Sequence, residues 1–187
     1  MKNAKSRTAS ILLVIAAAVP AKADPAVDWR GVHATLTFGI TTNGDVRSTL
    51  SSPTEGTTPV GGQLGYRVQR DAIVLGGDLG FYQLDDDSTA VPSSFMGPIT
   101  EARLTLGYAE GYALYYGALG YATGTFDDTV RDFSMGGISL GLGVDYAIAE
   151  GWSIGGEVML RNLTGRDSGA TLDYGHTALQ LRLGYRF

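Results

Sequence analysis

The sequence predicts an all-β fold, an eight-stranded antiparallel transmembrane β-barrel, over residues 24–187. Three observations carry this. Segments of roughly ten residues alternate between an apolar and a polar face, as strands do when successive side chains point to opposite sides. Longer polar loops and short turns alternate between those segments, and the segment count is even. The apolar face is also the uniform one, whereas the polar face carries charge. A soluble barrel keeps its interior apolar, so this arrangement places lipid outside.

Residues 1–23 read as a separate unit. Lys2, Lys5 and Arg7 precede the apolar run Ile11–Val19, then Pro20 and Ala21-Lys22-Ala23. A basic start, a short apolar centre and an A-x-A site make a secretory signal peptide, with cleavage expected after Ala23. The run is far shorter than the ~20 residues of a membrane-spanning helix. Cleavage removes all three lysines, leaving ten arginines against nineteen acids, a formal charge of −9. Such a chain lacks the basic footprint of a nucleic-acid binder. It has no cysteine, which excludes disulfides and thiolate ligands. The remainder holds no apolar stretch of helical-span length, so a membrane position requires a closed barrel.

The elements follow in order. Segment one, Trp29 to Ile40, sets Val32, Ala34, Leu36, Phe38 and Ile40 against His33, Thr35 and Thr37. A polar loop, Thr41 to Pro59, contains the turn signal Asn43-Gly44. Segment two, Val60 to Gln69, presents Leu64, Tyr66 and Val68 opposite Gln63 and Arg67. After a turn at Arg70-Asp71, segment three, Ala72 to Leu84, alternates Ile73, Leu75, Leu79 and Phe81 with Val74, Asp78 and Tyr82. A second loop holds Asp85-Asp86-Asp87, Pro92 and Pro98. Segment four, Ile99 to Tyr108, sets Ala102, Leu104, Leu106 and Tyr108 against Glu101, Arg103 and Thr105. Ala109-Glu110-Gly111 form a turn into segment five, Tyr112 to Thr123, where tyrosines on both faces leave the phase open. A third loop, Gly124 to Ser134, contains Asp127 and Asp128. Segment six, Met135 to Tyr146, opposes Ile138, Leu140, Leu142, Val144 and Tyr146 to Ser139, Asp145 and three glycines. After the turn at 147–151, segment seven, Trp152 to Asn162, opposes Trp152, Ile154, Val158 and Leu160 to Glu157, Met159 and Arg161. A fourth loop, Thr164 to Asp173, precedes the closing segment, Tyr174 to Phe187, in which Leu179, Leu181, Leu183, Tyr185 and Phe187 oppose Gln180 and Arg182.

This phasing sends Arg67, Asp78, Glu101, Arg103, Asp145, Glu157, Arg161 and Arg182 inward. In a narrow interior of low dielectric, unpaired charge is strongly unfavourable, so these eight residues are expected to form a structural charge network. Arg182 is expected to meet acids such as Glu157. The functional alternative is a charged constriction that selects ions. Outward, Trp29, Tyr66, Tyr108, Tyr146, Trp152, Tyr185 and Phe187 are expected in an aromatic girdle at the short-turn end, with Phe38 and Phe81 nearer the loops. A charge facing the bilayer midplane would cost about 2–4 kcal/mol, and the phased apolar faces carry none.

Trp29 opening the first segment, the glycine-rich Gly117-Ala118-Leu119-Gly120-Tyr121 and the ending Leu179–Phe187 together resemble the small outer-membrane β-barrel family of OmpA/OmpX architecture, which includes porin-like surface proteins. The resemblance covers Trp29 to Phe187. It implies a cell outer membrane location and both termini in the periplasm. It also implies contact with outer-membrane lipid and lipopolysaccharide, with the barrel-assembly machinery reading Tyr185 and Phe187 as an assembly signal. The implied role is that of a monomeric structural surface protein. A narrow porin-like channel for ions or small solutes is the alternative, as is a surface adhesin acting through its loops.

No catalytic, cofactor-binding or metal site is assigned. Barrel-borne lipid A deacylases place a His and a Ser two apart on one strand. Here His33-Ala34-Thr35 and His176-Thr177-Ala178 lack that Ser, and no nucleophile is paired with a base. The acidic runs Asp85–Asp87 and Asp127-Asp128 offer oxygen ligands but no EF-hand spacing.

Overall fold

The computed structural model describes residues 27–47, 52–54, 60–83, 95–128, 131–167 and 170–187. The signal peptide with its cleavage site at Ala23, and the acidic run Asp85–Asp87, lie outside the described residues. Among the described residues eight long strands account for the wall. They are β1 (Gly31–Arg47), β2 (Val60–Arg70), β3 (Ile73–Gln83), β4 (Ile99–Glu110), β5 (Ala113–Asp128), β6 (Arg131–Ala149), β7 (Trp152–Asp167) and β8 (Ala170–Arg186). Two short strand segments, Ser52–Thr54 and Phe95–Met96, pair beside β1 and β5 respectively.

Each strand pairs antiparallel with its sequence neighbour, and β8 returns to β1, with Leu36 opposite Leu183 and Thr37 opposite Arg182. Closure abolishes the edges an open sheet would leave. Walking straight across the strands from Val32 visits Tyr66, Gly77, Leu104, Leu119, Leu140, Leu160 and Thr177, and re-enters β1 at Asn43. That stagger is the tilt a closed barrel requires.

The short-turn end is tight. Arg70 opposes Ile73, Glu110 opposes Ala113 and Ala149 opposes Trp152, leaving two residues in each turn. Asp71, Gly111 and Gly151 supply the positive φ these turns need. Gly151 is the most constrained of these, because an added Cβ would lie 2.8 Å from the Arg186 carbonyl oxygen.

At the other end the strands outrun the sequence-based boundaries. β1 continues to Arg47, where it opposes Asp173. β5 and β6 stay paired to Asp128 and Arg131, absorbing most of the expected third loop. β7 and β8 stay paired to Asp167 and Ala170, absorbing most of the fourth. The apolar alternation is needed only where a strand faces lipid. Backbone pairing has no such limit.

Outside, one leucine per strand forms a belt: Leu36, Leu64, Leu79, Leu104, Leu119, Leu140, Leu160 and Leu181 are all exposed. An apolar surface running around the whole wall is far beyond what a water-soluble monomer exposes, and it fits a hydrocarbon surround. Below it lies an aromatic band in which Trp152 packs on Tyr185 (ring centroids 4.9 Å apart) and Tyr185 meets Phe187 edge-on (5.0 Å). Trp29 is not in this band. It is buried inside the short-turn end with Val74, Ala109, Leu114 and Tyr116. It keeps the odd, inward parity of His33, Thr35 and Thr37, so the alternation of segment one, carried back to its first residue, contradicts the girdle position. Its backbone N–H donates to the Gln69 side-chain oxygen at 2.7 Å, and its ring turns in to cap the interior.

Candidate functional site: the barrel interior

The inward face of the wall is polar in its middle and apolar at both ends. At the short-turn end Trp29, Val74, Ala109, Leu114 and Tyr116 form one buried apolar layer. Toward the loops, Tyr82, Ile99, Ala122, Met135, Leu163 and Tyr174 form another. Between them lie Arg67, Asp78, Glu101, Arg103, Asp145, Glu157, Arg161 and Arg182, all buried. They comprise four acids and four arginines, so among the described residues the inward charges balance apart from histidine.

These side chains gather in two centres. The lower one joins six of the eight. Glu157 accepts from Arg103 Nη1 at 2.7 Å, Arg182 Nη1 at 2.6 Å and the Tyr116 hydroxyl at 2.8 Å. Asp145 accepts from Arg182 Nε and Arg67 Nη2, each at 3.2 Å. Asp78 accepts from Thr105 at 2.9 Å and faces His33 Nε2 at 2.7 Å, with Arg103 Nε at 3.7 Å. The Gln63 oxygen accepts from both Arg103 (2.8 Å) and Arg182 (3.2 Å). The upper centre is a single ion pair. Arg161 donates to Glu101 Oε2 through Nη2 at 2.6 Å and Nε at 3.0 Å, and Ser139 donates to Oε1 at 2.6 Å. The two centres touch through Tyr82. Its hydroxyl accepts from Gln63 Nε2 at 2.5 Å, and the Arg161 guanidinium lies 4.2 Å from its ring centre.

Glycines make the room. An added Cβ at Gly65 would meet His33 and Asp78. One at Gly141 would meet Glu157, and one at Gly143 the Tyr116 ring. These glycines sit beside large inward side chains on the neighbouring strands, so part of the glycine share, about twice the usual ~7%, has a steric cause.

Sequence reasoning left Tyr116 unplaced. It is inward, as are Leu114, Ala118 and Ala122, while Tyr115, Leu119 and Tyr121 face out. The signal lay in turn length. Placing the turn at Ala109–Gly111 puts Tyr112 opposite Tyr108, whereas the observed two-residue turn puts Leu114 opposite the inward Ala109. Gln63, Thr105, Ser139 and Tyr82 also join the network, and nothing but their inward phase marked them. Tyr185 and Phe187 lie on the outer face, and the Phe187 N–H donates to the Val32 carbonyl at 3.0 Å. Outside the wall, exposed Asp28 pairs with Arg30 at 2.8 Å, and hydrogen bonding from that guanidinium holds its carboxyl at about 2. Among the described residues no cluster of His, Asp and Glu is arranged to hold a metal ion.

A closed wall with an apolar outside and a paired ionic inside defines an integral membrane β-barrel. Residues 9–187 match the family described as outer membrane protein beta-barrel domain, and the chain belongs to that family. No curated protein is significantly similar to it. Among solved structures, the surface protein A of Neisseria is 12% identical with a TM-score of 0.51, over 84% of this chain and 97% of that one. Ail of Yersinia pestis, in complex with the heparin analogue sucrose octasulfate, is 16% identical with a TM-score of 0.45, over 84% and 99%. OprG of Pseudomonas aeruginosa is 15% identical with a TM-score of 0.43, over 84% and 96%. At such identities the likeness is one of fold.

Proposed function

We propose that this protein is a monomeric structural component of the outer membrane. In this reading residues 1–23 direct export and are removed after Ala23. The barrel-assembly machinery recognises the strand ending in Tyr185 and Phe187. The leucine belt sits in lipid, and the loops meet lipopolysaccharide and the cell exterior. The observation that carries the structural role is the filled cross-section. Arg67, Arg103 and Arg182 pair with Asp78, Asp145 and Glu157, Arg67 reaching Asp145 across the barrel from β2 to β6 and Arg103 reaching Glu157 from β4 to β7. An apolar layer lies on either side of them. Moving an ion through would require breaking buried pairs, each costly to break by about 3–5 kcal/mol.

Planar-bilayer recording of purified protein tests this. Electrical silence is expected under conditions where the protein shows the faster unheated gel mobility of a folded barrel. Reproducible single-channel steps would replace the structural role with that of a narrow channel.

A further inference from the structure

Two grooves run diagonally across the lipid-facing wall, with volumes of about 630 and 720 Å³. The first begins at Trp152 and Tyr185 in the turn-end aromatic band, passes Ala34 and Gly62, and ends at Phe81 and Thr100. The second begins at Val32 and Tyr66, passes Gly77 and Ala102, and ends at Leu119 and Tyr121. Leu64 and Leu79, opposite each other on β2 and β3, line both and form the ridge between them. Each groove follows rows straight across the strands: in the first, Trp152 opposes Tyr185, Tyr185 opposes Ala34, and Ala34 opposes Leu64. The stagger makes such a row climb from the turns toward the loops. From β7 through β8, β1, β2 and β3 to β4 the first groove covers about 24 Å, at about 4.8 Å per strand, a length that an extended fatty-acyl chain can fill.

The shallow positions are not imposed by the fold. Neither Gly62 nor Gly77 has a positive φ. An added Cβ would lie 3.9 Å from the nearest atom at Gly62 and 3.8 Å at Gly77, which is ordinary contact. Glycine inside a strand weakens it, so what these two supply is depth on the outer face.

We propose that the two grooves seat the two acyl chains of one bound phospholipid. Their turn ends lie on either side of Phe187, which meets the Tyr185 ring at 5.0 Å and donates its N–H to the Val32 carbonyl at 3.0 Å. Exposed Arg30 and Arg70 share the outward parity of Val32 and Tyr66 and lie closer to the turns. Arg30 is paired with Asp28, whereas Arg70 has no ion pair among the described residues and is the free cation for the lipid phosphate. A second copy of the barrel does not fit the grooves. Two copies related by an axis along the membrane normal present ridges that cross at twice the strand tilt, roughly 70–90°, so no ridge lies along a groove. A flexible chain follows the diagonal.

Native mass spectrometry of the protein released from a mild detergent, with palmitoyl-oleoyl phosphatidylglycerol added, tests this. One retained lipid per protein is expected, held about tenfold more tightly than the matching single-chain lysophosphatidylglycerol. The double variant Gly62→Leu with Gly77→Leu fills both grooves. It is expected to keep the unheated gel mobility of a folded barrel and to weaken retention about tenfold. Arg70→Gln is expected to weaken retention as well. A spread of adducts with no preferred number, equal retention of the lysolipid, or undiminished binding in the filled variant means that the wall meets only solvent lipid and overturns the site. Dimers that the filled variant abolishes assign this face to a second copy and overturn it too. Unchanged binding in Arg70→Gln overturns the placement of the headgroup.

Discussion

The two ionic centres solve the same problem with different redundancy. In the lower one, Glu157 has two arginines and a tyrosine, and Asp145 has two arginines. Any single arginine can be lost and each of these acids still keeps a cation. In the upper one, among the described residues Glu101 has Arg161 and, beyond it, only the neutral Ser139 hydroxyl. Both acids are about equally buried, Glu101 and Glu157 being 1% exposed each. Burial therefore does not separate the centres; the number of cations per acid does. A buried charge left alone costs several times what a missing hydrogen bond costs.

The largest effect is accordingly expected at Arg161. Arg161→Met leaves Glu101 without a cation, removes the cover over Tyr82, and is expected to destabilise the barrel by about 3–5 kcal/mol. Urea unfolding from lipid vesicles, read by gel mobility, measures it. The paired change Arg161→Met with Glu101→Leu removes both charges, and is expected to recover most of that loss. If the double variant stays as unstable as the single one, the cost lies in packing around Tyr82 rather than in the orphaned charge.

This contrast was only partly legible in the sequence. Alternation alone sends Glu101 and Arg161 inward, and likewise Glu157 and Arg182, because lipid demands an unbroken apolar face at Leu104, Leu160 and Leu181. Which acid meets which arginine depends on stagger around the barrel. Glu101 and Arg161 sit on β4 and β7, three strands apart, and no pattern within either strand encodes that meeting. Tyr116 shows the same limit from another side. Its phase stayed open because one residue in the length of the turn before β5 decides it, since a strand has a period of two. Trp29 was legible: it shares odd parity with the inward His33 and Thr35, and only its aromatic ring at a strand end suggested the girdle. The hairpin ends beyond lipid, such as Asp128 opposite Arg131, were illegible because nothing selects an apolar face there.

The lower centre supplies the intermediate case. Arg67→Met removes one of the two cations on Asp145, and Arg182 remains at 3.2 Å. The expected loss is about 1.5–3 kcal/mol, that of a hydrogen bond to a charged group. A loss as large as that of Arg161→Met would contradict the redundancy argument.

The smallest effect is expected at Ser139, and it tests whether the charge or the hydrogen bond matters at Glu101. Ser139→Ala deletes the 2.6 Å bond to Glu101 Oε1 while both Arg161 contacts to Oε2 stay. Alanine also fits, since Gly120 already leaves space beside the Ser139 hydroxyl. Oε1 is then short of a donor, but the carboxylate remains neutralised, so a loss of about 1 kcal/mol is expected. A loss approaching that of Arg161→Met would show that Glu101 depends on its full set of donors rather than on its one cation. The two centres would then differ in geometry and not in redundancy.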